Sequence, residues 1–182
     1  MGSTVFLDLV RLQDKDWPQI EDPDKYTSVR VWFCKYRTLD AISYFQNLKN
    51  LVIAGFPDPS LVAISRLTEL EYLRILHLPK ITSLAGIEKL KNLESLSLST
   101  APSWDSSGKR TEVDSLAPVG TLEKLKHIEL FGVCQTGSSL SELESCSSLV
   151  TGRFNKYPKG VAEQFIEKMG LKNQFVPEPV LE

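Results

Sequence analysis

The 182 residues carry a formal charge of −2, with 21 basic and 23 acidic side chains and no long block of either sign. That length suits one domain, which can bury about 70% of its unfolded surface without disulfides or metals, and the near-balance argues against a nucleic-acid or anionic-membrane surface as the main interface. Three cysteines without a CxxC spacing indicate neither a zinc knuckle nor a disulfide framework.

The N-terminal stretch "MGSTVFLDLVRLQDKDWPQ" has an acid early on and no long apolar core, so no secretory leader is expected. No window reaches eighteen uninterrupted apolar residues, and no Asn-x-Ser/Thr site occurs. These features lead to the expectation of a cytoplasmic protein with free thiols and no membrane contact. Residues 1–27 are expected to form an N-terminal cap. Their strand-like stretch, Val5 to Leu12, contains Leu7-x-Leu9, a candidate degenerate first coil, and "QDKDWPQIEDPDKY" reads as a loop over an open end.

From residue 28 to residue 154 an apolar–x–apolar pair recurs. It appears as Val29-x-Val31, Leu51-x-Ile53, Leu76-x-Leu78, Leu96-x-Leu98, Ile128-x-Leu130 and, weakly, Leu149-x-Thr151, at intervals of 22, 25, 20, 32 and 21. Upstream of each pair an apolar residue stands at every third position, as in Leu84, Ile87, Leu90 and Leu93 before Leu96. A constant step of three drifts about 60° per step around an α-helix, so one long helix would expose half of these side chains. The alternating pairs predict strands and the triplets predict 3₁₀ or short helical turns. No single strand-plus-turn unit can bury its apolar side alone, so the units must stack. The 32-residue interval contains an insertion, Thr100 to Ser115, whose Ser, Gly, Asp and Pro content marks a loop leaving the end of a strand. Residues 155–182 are expected to form a C-terminal cap and tail. Within them Lys159 to Met169 reads as a helix with Val161, Phe165, Ile166 and Met169 on one face and Gly170 as its stop.

From Val29 to Phe154 the pattern resembles the short class of leucine-rich repeats, about 22 residues long, found in phosphatase regulatory subunits and internalins. The resemblance implies an α/β solenoid, with a curved parallel sheet on the concave face and short helical or 3₁₀ turns on the convex face. It also implies a role in binding proteins. One column departs from the family, which places Asn or Cys three residues after the second apolar position. Here that column reads Cys34, Phe56, Ile81, Ala101, Val133 and Phe154, so the turn amides need other partners.

No GxSxG, Walker, HExxH, DxDxDG or GxGxxG pattern occurs, and no catalytic residue, metal site or cofactor is expected. His77 and His127 fall on outward strand positions about 12 Å apart, too far to share a zinc with bonds of about 2.0 Å. Cys34 and Cys146 read as small core residues, and Cys134 as a more exposed one. The outward columns are Ser28, Asn50, Ile75, Ser95, His127 and Ser148; then Arg30, Val52, His77, Ser97, Glu129 and Val150; then Trp32, Ala54, Pro79, Ser99, Phe131 and Gly152. Small residues fill the middle, with large or ionisable ones flanking it. The candidate partner-contacting residues are therefore Arg30, Trp32, His77, Trp104, His127, Glu129 and Phe131. The alternative buries Trp32 under the N-terminal segment and Phe131 under the insertion, while Trp104 either pins the insertion to the sheet or offers an aromatic contact.

The leading functional expectation is a monomeric, non-enzymatic module that docks a partner protein on its concave face, as a regulatory or inhibitory subunit. The alternative is an enzyme or small-molecule binder with a pocket under the insertion, between Trp104 and His77. A nucleic-acid adaptor is disfavoured, because Arg30 is the only lysine or arginine in these columns.

Overall fold

The structure is a computed structural model that describes residues 5–175, 178, 179 and 181. Its strands are β1 (Phe6–Val10), β2 (Ser28–Trp32), β3 (Asn50–Ala54), β4 (Tyr72–Leu76), β5 (Ser95–Ser99), β6 (Thr111–Val113), β7 (His127–Phe131), β8 (Val133–Gln135), β9 (Thr151–Asn155) and β10 (Lys172–Asn173). The α-helices are α1 (Pro102–Ser106), α2 (Ala117–Gly120) and α3 (Val161–Met169). Eight strands form one parallel sheet in the order β1-β2-β3-β4-β5-β7-β9-β10, and β6 pairs with β8 in a separate parallel ribbon.

Coils return through triplet residues on 3₁₀ turns, such as Asp40–Tyr44, Ile64–Arg66 and Ile87–Lys89, with α2 taking that place between β5 and β7 and α3 between β9 and β10. Residues three apart eclipse on such turns, so one side of each turn is wholly apolar. Leu61, Ile64, Leu67 and Leu70 are buried, as are Leu84, Ile87, Leu90 and Leu93. They meet the inward strand residues Leu51, Leu73 and Leu96, and Ile53, Ile75 and Leu98, in one continuous core.

Two coils are registered differently from the spacing argument. Leu51 pairs with Leu73, and Leu73 with Leu96, so the inward pair of β4 is Leu73-x-Ile75 rather than Leu76-x-Leu78. In the last coil the inward pair is Gly152-x-Phe154, set beside Ile128 and Leu130, rather than Leu149-x-Thr151. Both slips are of three residues, the step at which the triplets themselves repeat, so an apolar–x–apolar pair survives the shift. The last coil hides its pair further, because its first inward residue is glycine. A Cβ at Gly152 would lie 2.7 Å from Phe154 Cε2 and 3.2 Å from Leu171 Cδ1, so these two side chains occupy the space a leucine would fill.

The turns after the strands compensate for the missing asparagines. Arg11, Phe33, Gly55, His77, Gly132 and Lys156 each follow a strand directly and have positive φ. Their geometry lets the turn amides reach across to the next strand: Arg11 N–H donates to Trp32 O, Phe33 N–H to Ala54 O, Gly55 N–H to Leu76 O and His77 N–H to Ser99 O, all at 2.7–2.8 Å. The residue after each of these turns reads Leu12, Cys34, Phe56, Leu78, Val133 and Tyr157 and points into or against the core. Cys34 Sγ–H donates to Leu9 O at 3.3 Å.

At the N-terminal edge β1 pairs with β2, placing Leu7 beside Val29. Trp17 leans on Tyr36 and Phe45, with ring centroids 5.3 and 6.1 Å away, and Tyr26 packs on Phe45 as well. At the other edge Phe165 of α3 meets Phe154 edge-on at 5.5 Å, and β10 pairs with β9.

Candidate functional site

With the register fixed, the outward face has three columns. One runs Phe6, Ser28, Asn50, Tyr72, Ser95, His127, Thr151; the central one Asp8, Arg30, Val52, Arg74, Ser97, Glu129, Arg153; the third Val10, Trp32, Ala54, Leu76, Ser99, Phe131, Asn155. His77 is therefore not on this face but in the left-handed turn after β4, and Ile75 is core. The central column gains Arg74 and Arg153, so Arg30 is not its only cation. A constant 22-residue step from Val29 through Leu51 to residue 73 would have revealed Arg74.

Each arginine of this column faces a carboxylate. Arg30 engages Asp8 through both edges of its fork, Nε to Oδ1 at 2.8 Å and Nη2 to Oδ2 at 2.5 Å. Arg153 approaches Glu129 at 3.2 Å and lies over the Phe131 ring, 4.5 Å from its centroid. Arg74 meets Glu178 of the C-terminal tail at 2.5 Å. Paired in this way, the cations do not form the open positive stripe that phosphates require.

Two outward residues are less accessible than the columns alone imply. Ser97 is 0% exposed and its hydroxyl donates to Glu129 Oε1 at 2.7 Å; Glu129 itself is 7% exposed. Glu129 thus links buried Ser97 to the exposed Arg153. Trp32 and Phe131 are half-buried, and Trp32 packs edge-on against Phe33 at 5.6 Å rather than beneath the Trp17 loop. His127 Nδ1 lies 2.9 Å from Thr151 Oγ1, and burial lowers the pKa of its ring.

The insertion is partly ordered into α1 and β6. Trp104 on α1 stands edge-on to His77, with centroids 5.2 Å apart, and Lys109 lies over its ring. Asp105 accepts from Asn155 Nδ2 at 3.2 Å, and its backbone carbonyl accepts from Lys156 Nζ at 2.9 Å. Tied to the turns after β4 and β9, α1 spans the ends of β5 and β7. The insertion leaves where the left-handed turn is missing, at Thr100, whose N–H donates to Phe131 O. Gly132 is required opposite it: with φ of 73°, its Cβ would lie 2.2 Å from Thr100 Oγ1. Burial lowers the pKa of His77, and its Nδ1 has no hydrogen-bond partner among the described residues. The His77–Trp104 contact closes the space between these two rings.

A groove of about 440 Å³ does open beside it. Arg74, Leu76, Ser99, Phe131 and Arg153 form its floor, Pro102 and Asp105 one wall, and Phe175 and Glu178 of the tail another. No histidine or cysteine among the described residues lines it. Among the described residues no group of three His, Cys, Asp or Glu side chains is placed to hold a metal, and no helix is long and apolar enough to cross a membrane. Cys134 is fully buried, with its Sγ 3.4 Å from Lys156 O, and burial raises its thiol pKa, so it is not the exposed thiol its position after a strand turn implied.

No family model matches the sequence, and no curated protein matches it. Among solved structures, an internalin (InlF) of Listeria monocytogenes is similar in fold, with a TM-score of 0.56 and 18% identity, covering 83% of this chain and 47% of that one. An internalin C2 of the same organism gives a TM-score of 0.48 and 17% identity, over 72% of this chain and 62% of that one. The chain spans about half the length of InlF, and at this identity the likeness is one of fold. In architecture the chain is a leucine-rich repeat solenoid similar to the internalins.

Proposed function

We propose that the chain is a non-catalytic interaction module, acting as a monomer, that docks a partner protein on its concave face. The observation that carries this reading is the spacing of Trp32 and Phe131. Both are half-buried on the outward third column, and four strand spacings, roughly 19 Å, separate them. Aromatic side chains are frequent interface anchors, and no metabolite needs two anchors so far apart. The seven five-residue strands of the sheet offer a face of roughly 29 by 17 Å. The insertion and tail that border it bring the surface toward the ~800 Å² per partner of a standard interface.

In this reading Trp32, Phe131 and His127 contact the partner. Arg30 and Glu129 set the local charge while engaged within the face, and His77 with Trp104 holds the bordering wall. Arg74 and Arg153 join the set. Three unpaired thiols fit a reducing compartment such as the cytoplasm. The groove favours a second reading, a small-molecule site, because its volume falls in the range of about 300–1,000 Å³ common to ligand pockets. Its charged floor and the tail forming one wall fit a protein segment better. Trp32→Ala combined with Phe131→Ala is expected to weaken capture of the native partner at least tenfold with little change in circular dichroism. Undiminished capture would move the site off this face.

A further inference from the structure

Two arginines of the central column stand two strands apart and are served differently. The fork of Arg30 is filled by Asp8 through Nε and Nη2. Among the described residues Arg74 meets Glu178 through Nη1, while its Nε is buried without a hydrogen-bond partner. The hydroxyl of Tyr72, two residues earlier on the same face of β4, is buried beside Arg74 and has no other hydrogen-bond partner among the described residues. Buried polar atoms without partners are rare, because each has given up hydration with nothing in return. Of the two residues only Arg74 lines the open groove, so its unfilled guanidinium edge marks where an acceptor from another molecule belongs. Guanidinium geometry selects that acceptor: a carboxylate accepts two parallel N–H bonds, as Asp8 does from Arg30.

The tail supplies an incomplete version of this ligand. Glu178 is 75% exposed while paired with Arg74, and Phe175 lines the same groove as Leu76 and Phe131. We infer that Arg74 anchors a carboxylate in a short acidic segment of the partner protein, which carries an apolar residue beside Phe131, and that the chain's own tail holds this place as a competitor. This rests on the concave-face reading above and specifies its chemistry. The competitor lowers the apparent affinity in proportion to the fraction of molecules in which the groove is free. A tail docked nine-tenths of the time costs about tenfold.

The test uses the full chain and a labelled synthetic peptide with the sequence of residues 172–182, read by fluorescence anisotropy. Phe175→Ser with Glu178→Ser releases the tail and should tighten peptide binding about tenfold relative to the unsubstituted chain. Arg74→Gln in the released protein should cancel that gain. A peptide carrying Glu178→Gln should likewise fail, and this arm leaves the protein untouched should the Arg74 variant misfold. Equal binding by released and unsubstituted chains, binding indifferent to the peptide's glutamate, or full competition by an equal concentration of succinate would each overturn the inference. If the peptide fails while Trp32→Ala with Phe131→Ala still abolishes partner capture, the tail inference falls and the concave-face reading stands. If capture survives the double substitution, the reading falls whatever the peptide does.

Discussion

Ile75 and Leu76 are adjacent, apolar and similar in volume, yet the register of β4 gives them opposite fates. Ile75 is 0% exposed among Ile53 and Leu98, whereas Leu76 points outward and lines the open groove. Ile75→Ala should cost about 3 kcal/mol, within the 2–5 kcal/mol range for truncating a buried aliphatic residue, because packed neighbours cannot close the void. Leu76→Ala forfeits about half of a full leucine transfer, roughly 1 kcal/mol, and leaves no cavity because solvent fills the groove. With a urea slope of about 2 kcal/mol per molar, the midpoints should fall by about 1.5 M and 0.5 M. In melting, Ile75→Ala should lose roughly 6–12 °C, at 2–4 °C per kcal/mol for a chain of this size. Equal losses, or the larger loss at Leu76, would refute the register and return Arg74 to the interior side of the strand.

That register is also where legibility from sequence ends. The stacked coils could be read from the triplets because a residue at every third position is compatible with only one simple burial scheme, and Leu84, Ile87, Leu90 and Leu93 are all buried as that scheme requires. The phase of each strand within its coil could not be read the same way. In β4, Leu73, Ile75, Leu76 and Leu78 satisfy two pairings equally, and only inter-strand hydrogen bonds choose between them. The slip propagated into the site: it moved His77 from a turn to the face and hid Arg74 and Arg153. Trp32, Glu129 and Phe131 lie in strands whose phase the spacing predicts, and they stand on the outward face. Burial of Ser97 and Glu129 depends on a contact across β5 and β7, separated by the insertion, and no local pattern announces it. The tail's pairing with Arg74 joins residues 104 apart, beyond the reach of periodicity.

Gly132→Ala should destabilise by about 2–4 kcal/mol, combining about 1 kcal/mol of left-handed strain with about 1–3 kcal/mol of overpacking against Thr100; adding Thr100→Ala should recover part of the loss in urea denaturation, and no recovery would place the strain elsewhere. Of the three thiols, only the half-buried Cys34 should react with a disulfide reagent in the folded protein at pH 8, with Cys134 and Cys146 appearing on denaturation, since burial both shields them and raises their pKa values. Two fast-reacting thiols in the native state would contradict that. The pH dependence follows from the histidines: burial is the main cause holding His77 and His127 below the ordinary value near 6.5. As pH falls through 6.5 the unfolded chain therefore takes up protons before the folded one does. Their contribution to stability is complete above that pH and is lost as pH drops toward the depressed folded values. Urea midpoints at pH 7.5 and 5.5 should differ more for the unsubstituted chain than for His77→Asn with His127→Asn, a replacement that keeps a residue tolerant of positive φ at position 77. Identical pH slopes would show that carboxylates alone drive the acid sensitivity, and that neither ring is held neutral by its packing.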